Sequence, residues 1–455
     1  MCSPLTCSFA QEVYRLIFAR LAERLGADAV PEVAAAVAHM AEAHEGRMYY
    51  RVDNWYRLLQ LLPGRRWLIP IWKRSLAVQV QELPPPLAVP FAARLRVVWR
   101  LLRAWFATPG LMSALEADFA AAKRDFDASF PADSEGLREL YFRIRAGVLR
   151  NWDITLVNDL RAFVATDIAR RLGRPIGGVE LAAMAPVRAL ADLARTLAPC
   201  ERAALAAGVL PERANVFIAE FGDRGPAELK LESATFRTHP DTLIPALLGA
   251  APVPAPPSSR PGRARQAVAF REASRLNRAR LFGMVRSIVR LLGEQLAATG
   301  QLAQAEDVFY LTLPELGLAD GPAGGALAPT VAQRKAEWAR YTAEPASPPM
   351  DDELAGTACS AGVVEAEVVV VLDPAAAPDV AGKIVVAQAT DPGWVFLLSR
   401  AAGVIAERGS LLSHVAIIAR ELGLPAVVGV PNATRLLRGG DRVRIDGAAG
   451  TVERV

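Results

Sequence analysis

The run AERGSLLSHVAIIARELGLPAVVGV, residues 406–430, carries the side chain best suited to chemistry, His414. Its spacing predicts a strand over 403–406, a turn at Gly409 and Ser410, a helix, a Gly-Leu-Pro stop and a second strand. Ser413 is placed as an N-cap, so His414 falls in the first helical turn, with Val415, Ile418 and Leu422 as the buried stripe. Free amides and the positive end of a helix favour an anion there, and Gly409 allows close backbone approach. A neutral imidazole, with an unperturbed pKa of about 6.5, is a competent nucleophile near neutral pH. The phosphoramidate it forms is labile, which splits one hard phosphoryl transfer into two easier ones. From spacing alone, a lone histidine capping a helix is the simpler alternative. His39, His44 and His239 show no partner spacing, and Cys2, Cys7, Cys200 and Cys359 form no CxxC or zinc pattern, so no metal site is expected.

The elements that must position this residue differ along the chain. The first three-quarters reads as helix, with apolar residues at three and four spacings: Val13, Ile17, Leu21 and Leu25, then Val97, Val98, Leu101, Leu102 and Trp105. Similar patterns cover 137–172, 188–208 and 267–299, punctuated at Pro63–Gly64, Pro109–Gly110 and Gly300. A Pro-rich patch at 252–263 reads as an exposed loop, and a second at 343–353 as a domain boundary. Beyond residue 356 the runs VVEAEVVVVLD, KIVVAQA, AGVIAE, AVVGV and DRVRIDG are short and β-branched, with one clear helix at about 414–423. The expected fold is multidomain, α plus α/β: a large all-helical domain over 1–342, a flexible linker over 343–355 and a small β/α domain over 356–455.

Composition excludes several classes. The 455 residues are 52% hydrophobic and 22% charged, which is a globular chain of several domains. The net charge of +4 comes from 52 basic and 48 acidic residues, almost all the basic ones arginine, without a run dense enough for nucleic acid. No secretory signal, apolar span, Walker A motif, GxGxxG or internal repeat is evident, and few scattered cysteines fit a reducing cytoplasm.

Residues 356–455 resemble the phosphohistidine swivelling domain shared by phosphoenolpyruvate synthase, pyruvate phosphate dikinase and rifampicin phosphotransferase. The resemblance rests on CSAGVVEAEV, GKIVVAQATDPGW, the 401–430 run and GGDRVRIDGAAGTV. In that family the histidine after the Gly/Ser turn is phosphorylated, which implies that role for His414. SPLTCSFAQEVY, GRMYYRVDNWYRLLQLLPG, NWDITLVNDLRAF, FGDRGPAELKLES and AEDVFYLTLPEL resemble the helical substrate domain of the rifampicin phosphotransferase group. Two departures stand out. Nothing in the chain resembles the ATP-grasp domain that donates the phosphoryl group, or the barrel that carries the pyruvate site. A family Gly-His-Arg-Gly segment reads Gly222-Asp223-Arg224-Gly225.

The resemblance implies a split phosphotransferase. ATP and Mg2+ are expected on a separate ATP-grasp partner, with none bound by this chain alone, and phospho-His414 passes the group to a small-molecule acceptor in the helical domain. Ser413, Ser410, Gly409, Arg408, Thr390 and Asp391 are the expected supports of the phosphoryl group, although Thr390 and Asp391 could equally serve only the turn. Asp223, Arg224 and Glu228, with Trp55, Tyr56 and Arg57, are the acceptor candidates; salt bridges and core packing are the simpler alternatives. The competing functional reading is a non-catalytic ligand-binding or regulatory module. No nucleic acid or membrane partner is expected, and the location expected is cytoplasmic.

Overall fold

The computed structural model describes all residues except 1, 63, 77–84, 86, 88, 129, 150, 173–181, 226, 251–252, 254–262, 320–325, 344–353 and 412. The first helix, α1 (Pro4–Leu25), starts where the chain spells Ser-Pro: the Ser3 hydroxyl accepts from the Thr6 amide at 3.2 Å and proline fills the first turn. It ends at Gly26, whose φ of 67° is the left-handed cap that glycine tolerates. Glu232 ties this end down, accepting from Ser3 N, Ser3 Oγ and Thr6 Oγ1 at 2.8, 2.7 and 2.6 Å.

The helical region continues through α2 (Pro31–Ala38), α3 (Val52–Leu59), α4 (Arg65–Leu76), α5 (Phe91–Ala128), α6 (Ser134–Leu149), α7 (Ile154–Arg171), α8 (Ala185–Thr196), α9 (Pro199–Ala206), α10 (Ala214–Phe221), α11 (Leu243–Leu248), α12 (Arg263–Ala298) and α13 (Leu327–Ala343). Helix α12 is its axis. Leu281, Met284, Val285, Ile288, Val289 and Leu292 are buried along it and meet Phe9 of α1, Leu115 and Phe119 of α5, Ile144 of α6 and Val157 of α7 in one core.

Two local expectations change. Pro109–Gly110 does not end a helix: α5 runs 38 residues through Pro109, because Ala104, Met112, Leu115 and Phe119 are buried on both sides of it. Tertiary burial here outweighs the lost amide donor. The helical region also carries a hairpin that apolar periodicity did not announce, β1 (Ala41–His44) and β2 (Arg47–Tyr50). Its loop is Glu45–Gly46, at φ 49° and 66°, the doubly left-handed turn that closes two-residue hairpins. The Pro-rich stretches at 252–263 and 343–353 fall almost wholly outside the described residues, so the expected loop and linker do too.

The C-terminal region forms β3 (Thr357–Ser360), β4 (Val363–Val371), β5 (Ile384–Ala387), β6 (Gly403–Ala406), β7 (Ala426–Val428), β8 (Arg442–Asp446) and β9 (Thr451–Arg454) in one sheet, ordered β3-β7-β6-β5-β4-β8-β9. Strands β4 to β7 are parallel; β3, β8 and β9 pair antiparallel. A bridge between Ala355 and Thr451 brings the two ends of that order together, so the sheet curls on itself. Val368, Ile384, Val386, Ile405, Val427 and Ile445 fill one core of this region. The alternate residues, Val385, Val404 and Val428, face a second core shared with α14 (Val395–Leu398) and α15 (His414–Leu422). That second core continues into the helical region through Phe217, Phe221, Phe236, Leu243 and Val268. The two regions therefore meet over a common apolar surface.

Candidate active site

Helix α15 begins at His414, as the spacing predicts, and stops at Gly423, at φ 69°. Val415 and Ile418 are buried and Leu422 partly so, but Ala416, Ile417 and Ala419 are buried as well. A helix covered on all sides is sandwiched, here between the curled sheet and the helical region. Ser413 has the extended backbone of an N-cap, yet its hydroxyl does not cap; it donates to the Ser410 carbonyl at 2.7 Å. The Gly/Ser turn is thereby fastened back on itself. A side chain at Gly409 would approach Val428 Cβ to 3.0 Å and Ser413 Oγ to 3.1 Å, so close packing requires glycine.

His414 is 5% exposed. Its Nδ1 lies 3.6 Å from Glu272 Oε2 of α12, beyond hydrogen-bond reach but close for a charge. Glu272 Oε1 accepts from Arg275 Nη1 at 2.6 Å. Arg271, on the same ridge, pairs with Asp159 of α7 at 2.7 Å and lies over the Phe163 ring. Burial lowers the His414 pKa, and Glu272 only partly opposes it, so the ring is neutral at neutral pH. Burial alone would raise Glu272, but Arg275, His414 and Arg271 outweigh it and hold the carboxyl at about 2. Arg275 is pushed down by burial to about 10, against Glu272, and stays charged.

A cavity of about 550 Å³ opens beside this ridge, lined by Arg271, Arg275 and Arg278 at one side and by Tyr14, Trp55, Tyr56, Trp72, Trp152 and Phe282 elsewhere. Trp55 and Tyr56, predicted as acceptor residues, line it; Trp55 also stacks edge-on with Phe18. Arg57 is half-buried and does not line it. Asp223, Arg224 and Glu228 do not line it either. Asp223 is buried, paired with Arg237 at 2.9 Å and packed on Gly283. Arg224 and Glu228 form a buried ion pair at 2.8 Å, and Arg224 Nη2 donates to the Pro392 carbonyl of the C-terminal region at 2.6 Å.

The other supporting residues divide. Ser410 is buried, with its carbonyl taken by Ser413. Thr390 Oγ1 is enclosed without a partner among the described residues. Asp391 caps the turn that follows, accepting from the Gly393 amide at 2.9 Å. Burial and the nearby Glu228 push its carboxyl up to about 7. Arg408 is exposed and reaches none of these groups; only its amide is fixed, to the Gln388 carbonyl at 2.9 Å. The spacing reading missed Glu272, Arg271 and Arg275. Their run, FREASRL, has the charge pattern of a solvated helix face, and it is buried because α12 packs against both α7 and α15. Among the described residues no group of three or more His, Cys, Asp or Glu is placed to hold a metal ion, and no helix is long and apolar enough to cross a membrane.

Both regions have known counterparts. Residues 379–450 match the family described as PEP-utilising enzyme, mobile domain, and residues 157–299 match the rifampicin phosphotransferase fourth domain. A rifampicin phosphotransferase of Streptomyces sviceus is 36% identical over 212 residues, covering 42% of this chain and 24% of that protein. A probable phosphoenolpyruvate synthase of Staphylothermus marinus is 44% identical over 71 residues, 16% of this chain and 8% of that protein. An uncharacterised protein of Mycobacterium tuberculosis is 29% identical over 372 residues, 72% of this chain and 43% of the relative. The chain thus spans less than half the length of the curated relatives it matches. Its C-terminal region is similar to the mobile domain of PEP-utilising enzymes, and its helical region to that of rifampicin phosphotransferase.

Proposed function

We propose that this chain is the transfer component of a phosphotransferase, relaying a phosphoryl group from ATP through His414 to a small-molecule acceptor in the helical region. The observation that carries the reading is the seat of His414: a neutral imidazole at a helix N-terminus, pressed against Glu272 and Arg275, with Arg275 also lining the 550 Å³ cavity. The Glu272 carboxylate beside Nδ1 favours the proton on that nitrogen and leaves the Nε2 lone pair as nucleophile. In the transfer, an N–P bond forms on His414 as the donor P–O bond breaks; the N–P bond then breaks as an acceptor oxygen takes the group. Arg271 and Arg275 stabilise the charge that develops on the phosphoryl oxygens. The aromatic wall suits a bulky, partly apolar acceptor.

The ring is covered in this arrangement, so loading requires the mobile domain to leave α12 and meet an ATP-grasp partner carrying ATP and Mg2+. The test mixes the full chain, an ATP-grasp partner and ATP labelled on the β-phosphorus. Label that enters the protein and then leaves it when acceptor is added supports the relay. A His414→Ala protein that passes label to acceptor as fast as wild type contradicts it.

A further inference from the structure

Among the described residues, Arg224 is a buried cation to which the relay gives no task. Arg224 is 1% exposed and Glu228 0%. They sit just beyond α10, and the carbonyl that Arg224 holds at 2.6 Å belongs to Pro392, in the loop leading to α14 of the mobile domain. Arg224 does not line the cavity, and its 2.8 Å partner is Glu228 rather than Glu272. Around it the apolar part of the same interface is closed by Phe236 against Phe396, ring centres 5.2 Å apart. A guanidinium removed from water needs its partners in place, so a site of this kind is complete only while the domains are together. We propose that Arg224, counter-charged by Glu228, is the latch that holds the mobile domain in its docked position. It acts as a positioning residue, setting His414 against α12 without touching the transferred group.

The latch responds to pH through Asp391, next to the held carbonyl. Facing Asp391 are Glu228, Arg224 and Lys230 from the helical region and the Gly393 amide from its own loop. Glu228 is faced in turn by Arg224, Arg286 and Arg278. Burial, then the Glu228 charge, raise Asp391 to about 7, and burial raises Glu228 too. In water Asp391 returns to about 4. The docked state therefore binds the extra proton, and this contribution to docking is full below about pH 4 and lost as pH rises through about 7. His414 works in the opposite direction. Its docked pKa is lowered, so its contribution is lost as pH falls below the ordinary imidazole range. Comparing wild type with Asp391→Asn at each pH cancels the histidine and isolates the carboxyl.

The latch itself requires no phosphoryl chemistry; only its purpose rests on the relay, so the experiment uses the unphosphorylated full chain without ATP or acceptor. Diethyl pyrocarbonate modification is followed at each histidine by peptide mass spectrometry. Exposed His39, His44 and His239 are internal references. His414 should react far more slowly than they do in wild type. Arg224→Ala should speed His414 about tenfold or more toward them, with the references and the cooperative thermal transition retained, and Arg224→Lys should restore part of the protection. Between pH 6 and 8, protection of His414 in wild type should fall about tenfold relative to Asp391→Asn, the drop expected for a docked carboxyl titrating at about 7. A folded Arg224→Ala chain with His414 as protected as in wild type overturns the latch, and so does a flat wild-type-to-Asp391→Asn ratio. If Arg224→Ala does not fold, the Asp391→Asn profile decides. Failure on either count would leave phosphorylation of His414 untouched, since neither readout involves it.

Discussion

Burial sets the charge of the imidazole, and the Glu272 carboxylate lies 3.6 Å from its Nδ1. In 15N-histidine-labelled protein the His414 ring should titrate with a midpoint below the ordinary value of about 6.5; a midpoint above it contradicts the docked arrangement. Glu272 carries a second expectation. Its carboxyl lies below its ordinary value of 4.5, at about 2, so it contributes stability above that ordinary value and loses it as pH falls toward 2. Glu272→Gln should remove this acid-sensitive part of the stability curve. It should also cost about 1.5–3 kcal/mol near neutral pH, the worth of the charge-assisted hydrogen bond that Arg275 donates to this carboxylate. Chemical denaturation of both proteins at several pH values measures both effects. An unchanged midpoint at pH 7 would mean the ridge is not buried in solution.

At the scale of elements, α12 is the stage on which the site stands. It brings Glu272 and Arg275 to His414 at one level and presents Gly283 to Asp223 further along. A Cβ on Gly283 would come within 2.5 Å of Asp223 atoms, so Gly283→Ala should lower stability by about 1–3 kcal/mol, seen as a lower melting temperature. Strands β4 to β8 and α15 were legible in the sequence because β-branched runs, a Gly/Ser turn and a Gly stop all point the same way, whereas the four-residue strands β3 and β9 carry no such run. The helices were legible for the same reason, through three and four spacing. Pro109 and the β1–β2 hairpin were not. In α5 long-range burial overrides a local breaker, and the hairpin is four residues on each side with few buried positions to alternate. Within the site, His414 was legible because its motif is contiguous. Glu272 was hidden because its meaning comes from a residue 142 positions away; Arg224 was named as an acceptor candidate, but its contact with a carbonyl 168 positions away was not legible. Trp55 and Tyr56 line the cavity, although the same side chains also build core.

For the whole molecule the central feature is one apolar surface joining a mobile domain to a helical body. Phe236→Ala should weaken that surface by about 0.5–1.5 kcal/mol beyond the area it removes, the worth of an edge-on aromatic pair. Hydrogen exchange should then quicken in α14 and α15 while the α1, α5 and α12 core stays protected. Uniform quickening across both regions would mean that Phe236 supports the fold rather than the docking. On the proposed relay, His414 is covered in the docked state, so the domain must also visit a second position where the ring receives its phosphoryl group. The measurement closest to that claim is site mapping of the phosphorylated protein after incubation with ATP and an ATP-grasp partner. The account predicts a single acid-labile, base-stable phosphoryl group on the peptide holding His414, absent from His414→Ala. A group on any other residue, or the same yield of labelled protein in the alanine variant, would contradict it.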